Sequence, residues 1–89
     1  MTYKFEFIHK FDVIFKGEMT WREARLKGVE LAKTLNKEID LRIFDVFEFR
    51  WKYTDLRYRP DGLVIDTKTG KLYYLEESGR NFWEYTENQ

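Results

Sequence analysis

Phe49, Arg50, Trp51, Lys52, Tyr53, Arg57, Tyr58 and Arg59 interleave aromatic rings with cationic side chains, a combination suited to two kinds of recognition. Rings stack on nucleobases while Arg and Lys neutralise phosphates; the same residue types are enriched where proteins dock on proteins. The strip begins slightly earlier, since Phe47-Glu48-Phe49-Arg50-Trp51-Lys52-Tyr53 alternates ring and charge at every step. That is the period of a β-strand with two unlike faces. It puts the rings on one face and Arg50 and Lys52 on the other, so a base-stacking platform would need Arg57, Tyr58 and Arg59 to fold back over the rings.

Catalytic constellations are sparse by comparison. The chain has no cysteine, one histidine (His9) and one serine (Ser78, in a polar link), which removes the usual Cys-His and Ser-His-Asp arrangements. A zinc site would have to combine His9 with three carboxylates, a rare ligand set. Thr67-Lys68-Thr69-Gly70-Lys71 lacks the glycine spacing of a phosphate loop and precedes no helix. Pro60-Asp61 and Asp66-Thr67-Lys68 superficially resemble the Pro-Asp and Asp-x-Lys elements of metal-dependent nucleases, in which two acids hold Mg²⁺. Extended backbone between them sets Asp61 and Asp66 about 16 Å apart, at ~3.3 Å per residue, too far to share an ion. Neither a metal nor a cofactor is expected, and no enzymatic activity. His9 and Asp45, each the polar exception in an apolar alternation, are expected to meet as a structural pair if their strands are neighbours.

The elements that must position these residues follow from patterning. The odd positions from Tyr3 to Phe15 are Tyr, Phe, Phe, His, Phe, Val and Phe, which predicts one long bent strand or a tight hairpin, broken at Gly17 and Glu18. Thr20-Trp21-Arg22-Glu23 matches a capping box, with Met19 and Ala24 at the hydrophobic-staple positions. A helix follows to about Asn36, with Trp21, Ala24, Gly28, Leu31, Ala32 and Leu35 along one face. Gly28 costs that helix about 1 kcal/mol relative to alanine, so a bulky ring of the sheet is expected to press against its backbone. Ile39, Leu41 and Ile43 alternate next, and Asp45 then interrupts the pattern, marking a β-bulge or a turn between two strands. Gly62–Asp66 and Lys71–Leu75 flank Thr67-Lys68-Thr69-Gly70 as a hairpin with glycine at the positive-φ position. Asn81–Thr86 reads as a last short strand, and Glu87, Asn88 and Gln89 should fray.

The 89 residues form one domain, residues 1–89. They predict an α+β fold in which a single amphipathic helix packs on one face of a four- to five-stranded, mainly antiparallel sheet, in the order β-α-β-β-β-β. Hydrophobic residues make up 43% of the chain and aromatic residues 19%, enough apolar mass to fold without disulfides. The lack of cysteine points to a reducing compartment, and the cytoplasm is the expected location. No apolar run reaches the ~20 residues of a membrane span, and no secretory leader is apparent. Sixteen basic residues balance sixteen acidic ones; residues 1–60 carry 13 basic and 10 acidic, and residues 61–89 carry 3 and 6. A strongly basic nucleic-acid footprint is therefore missing.

The expected function is a non-enzymatic binding or inhibitory module acting through protein–protein contacts of an aromatic-rich sheet. Its simplest partner is a second copy, giving a homodimer. Small stand-alone proteins of this kind are frequent among phage and other mobile-element accessory factors, and by that association this chain is expected among them. The alternative is a binder of a nucleotide or of single-stranded nucleic acid through the aromatic and basic strip.

Overall fold

A computed structural model describes residues 1–86; Glu87, Asn88 and Gln89, expected to fray, lie outside the described residues. The first alternating segment is a hairpin. β1 (Tyr3–His9) turns through Lys10 and Phe11 into β2 (Asp12–Met19), with Lys10 in the left-handed region at φ 56°. Gly17 and Glu18, expected to break the strand, lie inside β2 instead. Gly17 pairs with Phe5 of β1, and a glycine is tolerated where its neighbours supply the missing bulk.

The capping box forms as its letters predict: Glu23 N–H donates to Thr20 Oγ1 at 3.1 Å, and Thr20 N–H donates to Glu23 Oε1 at 2.9 Å. It opens α1 (Trp21–Leu35), which ends at Asn36 in the left-handed conformation with its N–H donating to the Ala32 carbonyl. Ala24, Gly28 and Ala32 form the buried stripe, while Leu35, expected on the same face, stays 42% exposed.

The rest of the chain is an antiparallel meander of β3 (Ile39–Asp45), β4 (Arg50–Tyr58), β5 (Leu63–Asp66), β6 (Leu72–Leu75) and β7 (Phe82–Glu84). Among the described residues all strands join one seven-stranded sheet in the order β2-β1-β3-β4-β5-β6-β7. The α+β class with one helix is as expected, whereas the strand count is seven rather than four or five. Two reversals account for much of the difference, one at Lys10-Phe11 and one at Asp45. Neither carries glycine or proline, the usual turn markers. At the second, Asp45 Oδ1 accepts from Phe47 N–H at 2.8 Å and Glu48 N–H at 3.0 Å, so a carboxylate replaces the glycine as the turn signal.

Helix α1 crosses from the edge strand β2 to β3 and packs on β1, β3 and β4. Phe5, Phe7, Ile39, Leu41, Tyr58 and Val64 point up beneath it and are fully buried with Ala24 and Ala32. The ring expected against Gly28 is Tyr58: a Cβ built on Gly28 would lie 2.5 Å from Tyr58 Cδ2 and Cζ and closer still to Cε2. Burial pushes the Tyr58 phenol pKa well up, and its hydroxyl has no hydrogen-bond partner among the described residues. Removing an unpaired buried hydroxyl relieves a desolvation cost, so Tyr58→Phe should leave stability unchanged or raise it by up to about 1 kcal/mol. Thermal melting checks this; a drop of several degrees would mean the hydroxyl is bonded after all.

His9 and Asp45 do not meet. Although β1 and β3 are neighbours, they run antiparallel with Phe5 opposite Ile43 and Ile8 opposite Asp40. The two residues therefore sit at opposite ends of the pair, about 20 Å apart at ~3.3 Å per residue. His9 Nδ1 lies 2.9 Å from the Glu38 carbonyl, and Asp45 serves its own turn. Asp61 likewise lies before β5 and Asp66 at its end, each accepting in a local turn.

Three carboxylates are held below the usual range by their hydrogen bonds. They are Asp45 (Phe47 N–H, then Lys52), Glu23 (Thr20) and Glu76 (Trp83, Ser78 and Asn81). A depressed folded-state pKa means the folded chain binds fewer protons than the unfolded one. The stability these bonds confer is therefore complete above the unfolded carboxylate pKa and lost as pH falls through the folded one. Melting temperature should accordingly decline below about pH 5, and Asp45→Asn should flatten the decline. An unchanged slope in Asp45→Asn would show that the turn carboxylate is not among its causes.

Candidate functional site

A 15-residue helix spans about 22 Å at 1.5 Å per residue, whereas the molecule extends 42 Å along its longest axis. All of α1 lies on one side of the sheet, so the opposite side is left open by every described element. Strand alternation decides what it displays. Because Ile39, Leu41 and Ile43 face the helix, Asp40, Arg42 and Phe44 face the open side. The register then carries Lys4, Glu6, Lys16, Glu18, Trp51, Tyr53 and Arg57 onto it.

Arg42 is the centre of this face. Its guanidinium lies 5.9 Å from the Trp51 ring centroid and 5.4 Å from that of Tyr53, within cation–π reach of both. It also donates to Glu6 Oε1 through Nε at 3.1 Å and Nη2 at 2.5 Å. Phe44 meets Trp51 edge-on at 5.3 Å and Phe49 at the same centroid distance. Trp51 also borders a shallow depression of about 530 Å³ that Lys4, Glu6, Lys16 and Glu18 line. Tyr53 remains 56% exposed.

Two cations of the face, Arg42 and Arg57, are held in ion pairs with Glu6 and Asp40, whereas Lys4 and Lys16 only stand across from acids in the strand register, with no ion pair among the described residues. Lys4 stands opposite Glu18, and Lys16 and Arg42 flank Glu6 on either side. Arg57 donates from Nε to Asp40 Oδ1 at 2.7 Å, and this bond, together with the Asp40 charge, raises the Arg57 pKa.

The sequence strip is thus divided by the fold. Trp51, Tyr53 and Arg57 share the open face. Phe49 belongs to the β3–β4 turn with Phe47, not to a strand; they are 82% and 97% exposed at the tip. Arg50 and Lys52 point to the other side of β4, as the alternation implies; Arg50 lies near Glu48, and Lys52 pairs with Asp45 at 3.2 Å and with Glu48. Arg59 pairs with Asp61 in the turn before β5 at 2.7 Å. Tyr58 is a correction: it is fully buried beneath the helix and serves the core, because two extra residues of β4 opposite Leu41 still leave it in phase with Leu56 under α1. The segment from Arg57 to Arg59 does not fold back over the rings. Glu6, Arg42 and Phe44 escaped the strip-based reading. Their signal was present in β3, whose polar phase Asp40-Arg42 ends in an aromatic residue, a pattern that an ordinary solvated face does not require.

Comparison with protein-family models, with curated proteins and with solved structures returns no match to this chain. No helix among the described residues is long and apolar enough to cross a membrane.

Proposed function

We propose that this protein is a non-enzymatic binding module that engages another protein through the open face of its sheet, with Trp51 and Tyr53 as the principal contacts and Phe44 and Arg42 supporting them. The observation that carries this reading is the pairing of both arginines beside the rings. A phosphate backbone is held by cations free to replace its counterions, whereas Arg42 and Arg57 are already engaged by Glu6 and Asp40. What the face offers a partner is aromatic area on β4 beside charges of both signs, the composition of a protein-docking surface. The nucleotide or single-stranded nucleic-acid reading would need Arg57, Tyr58 and Arg59 over the rings, but Arg57 is paired with Asp40, Tyr58 is buried beneath the helix and Arg59 is paired with Asp61. In support of a non-enzymatic role, His9 sits beside Glu38 beyond the C-terminus of α1, whereas Ser78 is bonded by Arg22 at its N-terminal end. The cysteine-free composition suits action in the cytoplasm.

Affinity capture from the source cells, with and without nuclease and over a range of salt, tests the reading. Retention of a protein that survives nuclease and high salt is expected. Recovery of nucleic acid alone, falling steeply with salt, would transfer the function to the alternative.

A further inference from the structure

The two ends of the sheet differ. β7 is an edge of three residues, whereas β2 is an edge of eight, Asp12–Met19, and no described element pairs with its outer side. A long unpaired edge is a template for another strand, and the sequence of this one is complementary to itself. Around Gly17 it reads Phe15-Lys16-Gly17-Glu18-Met19. A two-fold axis through Gly17 sets Lys16 opposite Glu18 of a second copy, Glu18 opposite its Lys16, and Phe15 opposite its Met19. Axes through either neighbour fail, since they place Lys16 on Lys16 or Glu18 on Glu18.

The charge rows of the open face extend this match. Within one copy, the row across β4, β3, β1 and β2 runs Tyr53, Arg42, Glu6, Lys16. Pairing about Gly17 continues it with Glu18 and then Lys4 of the second copy, so the signs alternate without interruption from Arg42 of one chain to Lys4 of the other. Opposite charges facing each other across strands stabilise a pair, and like charges destabilise it by similar amounts. On the helix side, Phe15 and Met19 would cover one another.

We infer that β2 is a self-association edge: two copies pair antiparallel about Gly17 and join their sheets into one, the second copy being the occupant of the edge. The assembly is an isologous two-fold, and it sets two open faces side by side. Trp51 shares a depression with Lys16 and Glu18, yet the inference stands apart from the target-binding reading, because self-association through the β2 edge and capture of another protein by the Trp51–Tyr53 rings are read by different measurements and each can fail alone.

Sedimentation equilibrium of the full chain tests it with a charge exchange. The unaltered protein should dimerise. Lys16→Glu leaves two glutamates on the edge and Glu18→Lys leaves two lysines, so each variant alone should lose the dimer. Their equimolar mixture should regain it, because both glutamates of one variant would then face both lysines of the other. A monomeric unaltered protein, a dimer persisting in both variants, or a mixture that stays monomeric would each overturn the inference. Should a variant fail to fold by circular dichroism, hydrogen exchange on the unaltered protein decides: β2 amides should become better protected as protein concentration rises. Exchange independent of concentration would refute the pairing, as would protection that appears only when a different protein is added.

Discussion

Gly28→Ala is expected to lower the melting temperature by about 10 °C, although alanine is the better helix former; a net loss of about 2 kcal/mol shifts a domain of this size by that order. Host–guest propensity favours the substitution by about 1 kcal/mol. Packing opposes it, because the added methyl would enter the Tyr58 ring, overlapping Cε2, Cδ2 and Cζ. The ring is fully buried and cannot swing into solvent. Helix and sheet must separate or the ring must leave its rotamer; overpacking costs typically about 1–3 kcal/mol, sometimes more, and an overlap with three ring atoms belongs at the upper end, leaving a net loss of about 2 kcal/mol after the propensity gain. The expected sign is therefore opposite to that at an exposed helix glycine. A double-mutant cycle gives a sharper check. Tyr58→Leu should destabilise the unaltered protein but cost much less, or help, in the Gly28→Ala background, since the two positions touch. A higher melting temperature for Gly28→Ala would show that the close approach is not real.

The second large effect concerns binding. Replacing Trp51 and Tyr53 together with alanine is expected to weaken partner binding by at least about 30-fold, the loss that accompanies removal of a central aromatic hot spot of about 2 kcal/mol. The two residues should separate in their side effects. Tyr53 is more than half exposed, so Tyr53→Ala should reduce binding with little change in stability. Trp51 supports Phe44 and lies against Arg42, so Trp51→Ala should also cost stability, on the order of 1–2 kcal/mol. Arg50→Gln serves as the control, because that side chain points away from the open face; its binding should be unchanged. Equal losses from Arg50→Gln and from Tyr53→Ala would mean that charge, not the ring face, governs the interaction.

The elements legible in the sequence were those whose signals are local. Thr20 and Glu23 announced the start of the helix because a capping box is complete within four residues. Asp66 through Gly70 announced a hairpin because its glycine must take positive φ, observed at 78°. Gly28 was legible as a cost without its cause, and the structure supplied Tyr58. Strand number was only half legible: a tight hairpin near Lys10-Phe11 and a turn at Asp45 were among the alternatives the alternation allowed, but the first reversal uses a lysine at positive φ and the second a side-chain acceptor in place of glycine, so neither was marked as the one formed. The candidate face was half legible for the same kind of reason. Alternation correctly set Trp51 and Tyr53 against Arg50 and Lys52, but strand neighbours brought in Arg42, Glu6 and Phe44. Composition could not tell that Tyr58 belongs to the buried phase, because a tyrosine suits a core and a surface equally.

Site-directed photocrosslinking in the source cells tests the central claim most directly, with a photoreactive phenylalanine analogue placed at Tyr53 on the open face and, separately, at Lys33, exposed on the helix side of the sheet. Capture of a discrete protein from position 53 and none from position 33 is the predicted result. Crosslinks to nucleic acid from position 53, or to a protein from position 33 alone, would contradict a protein-docking role for the open face.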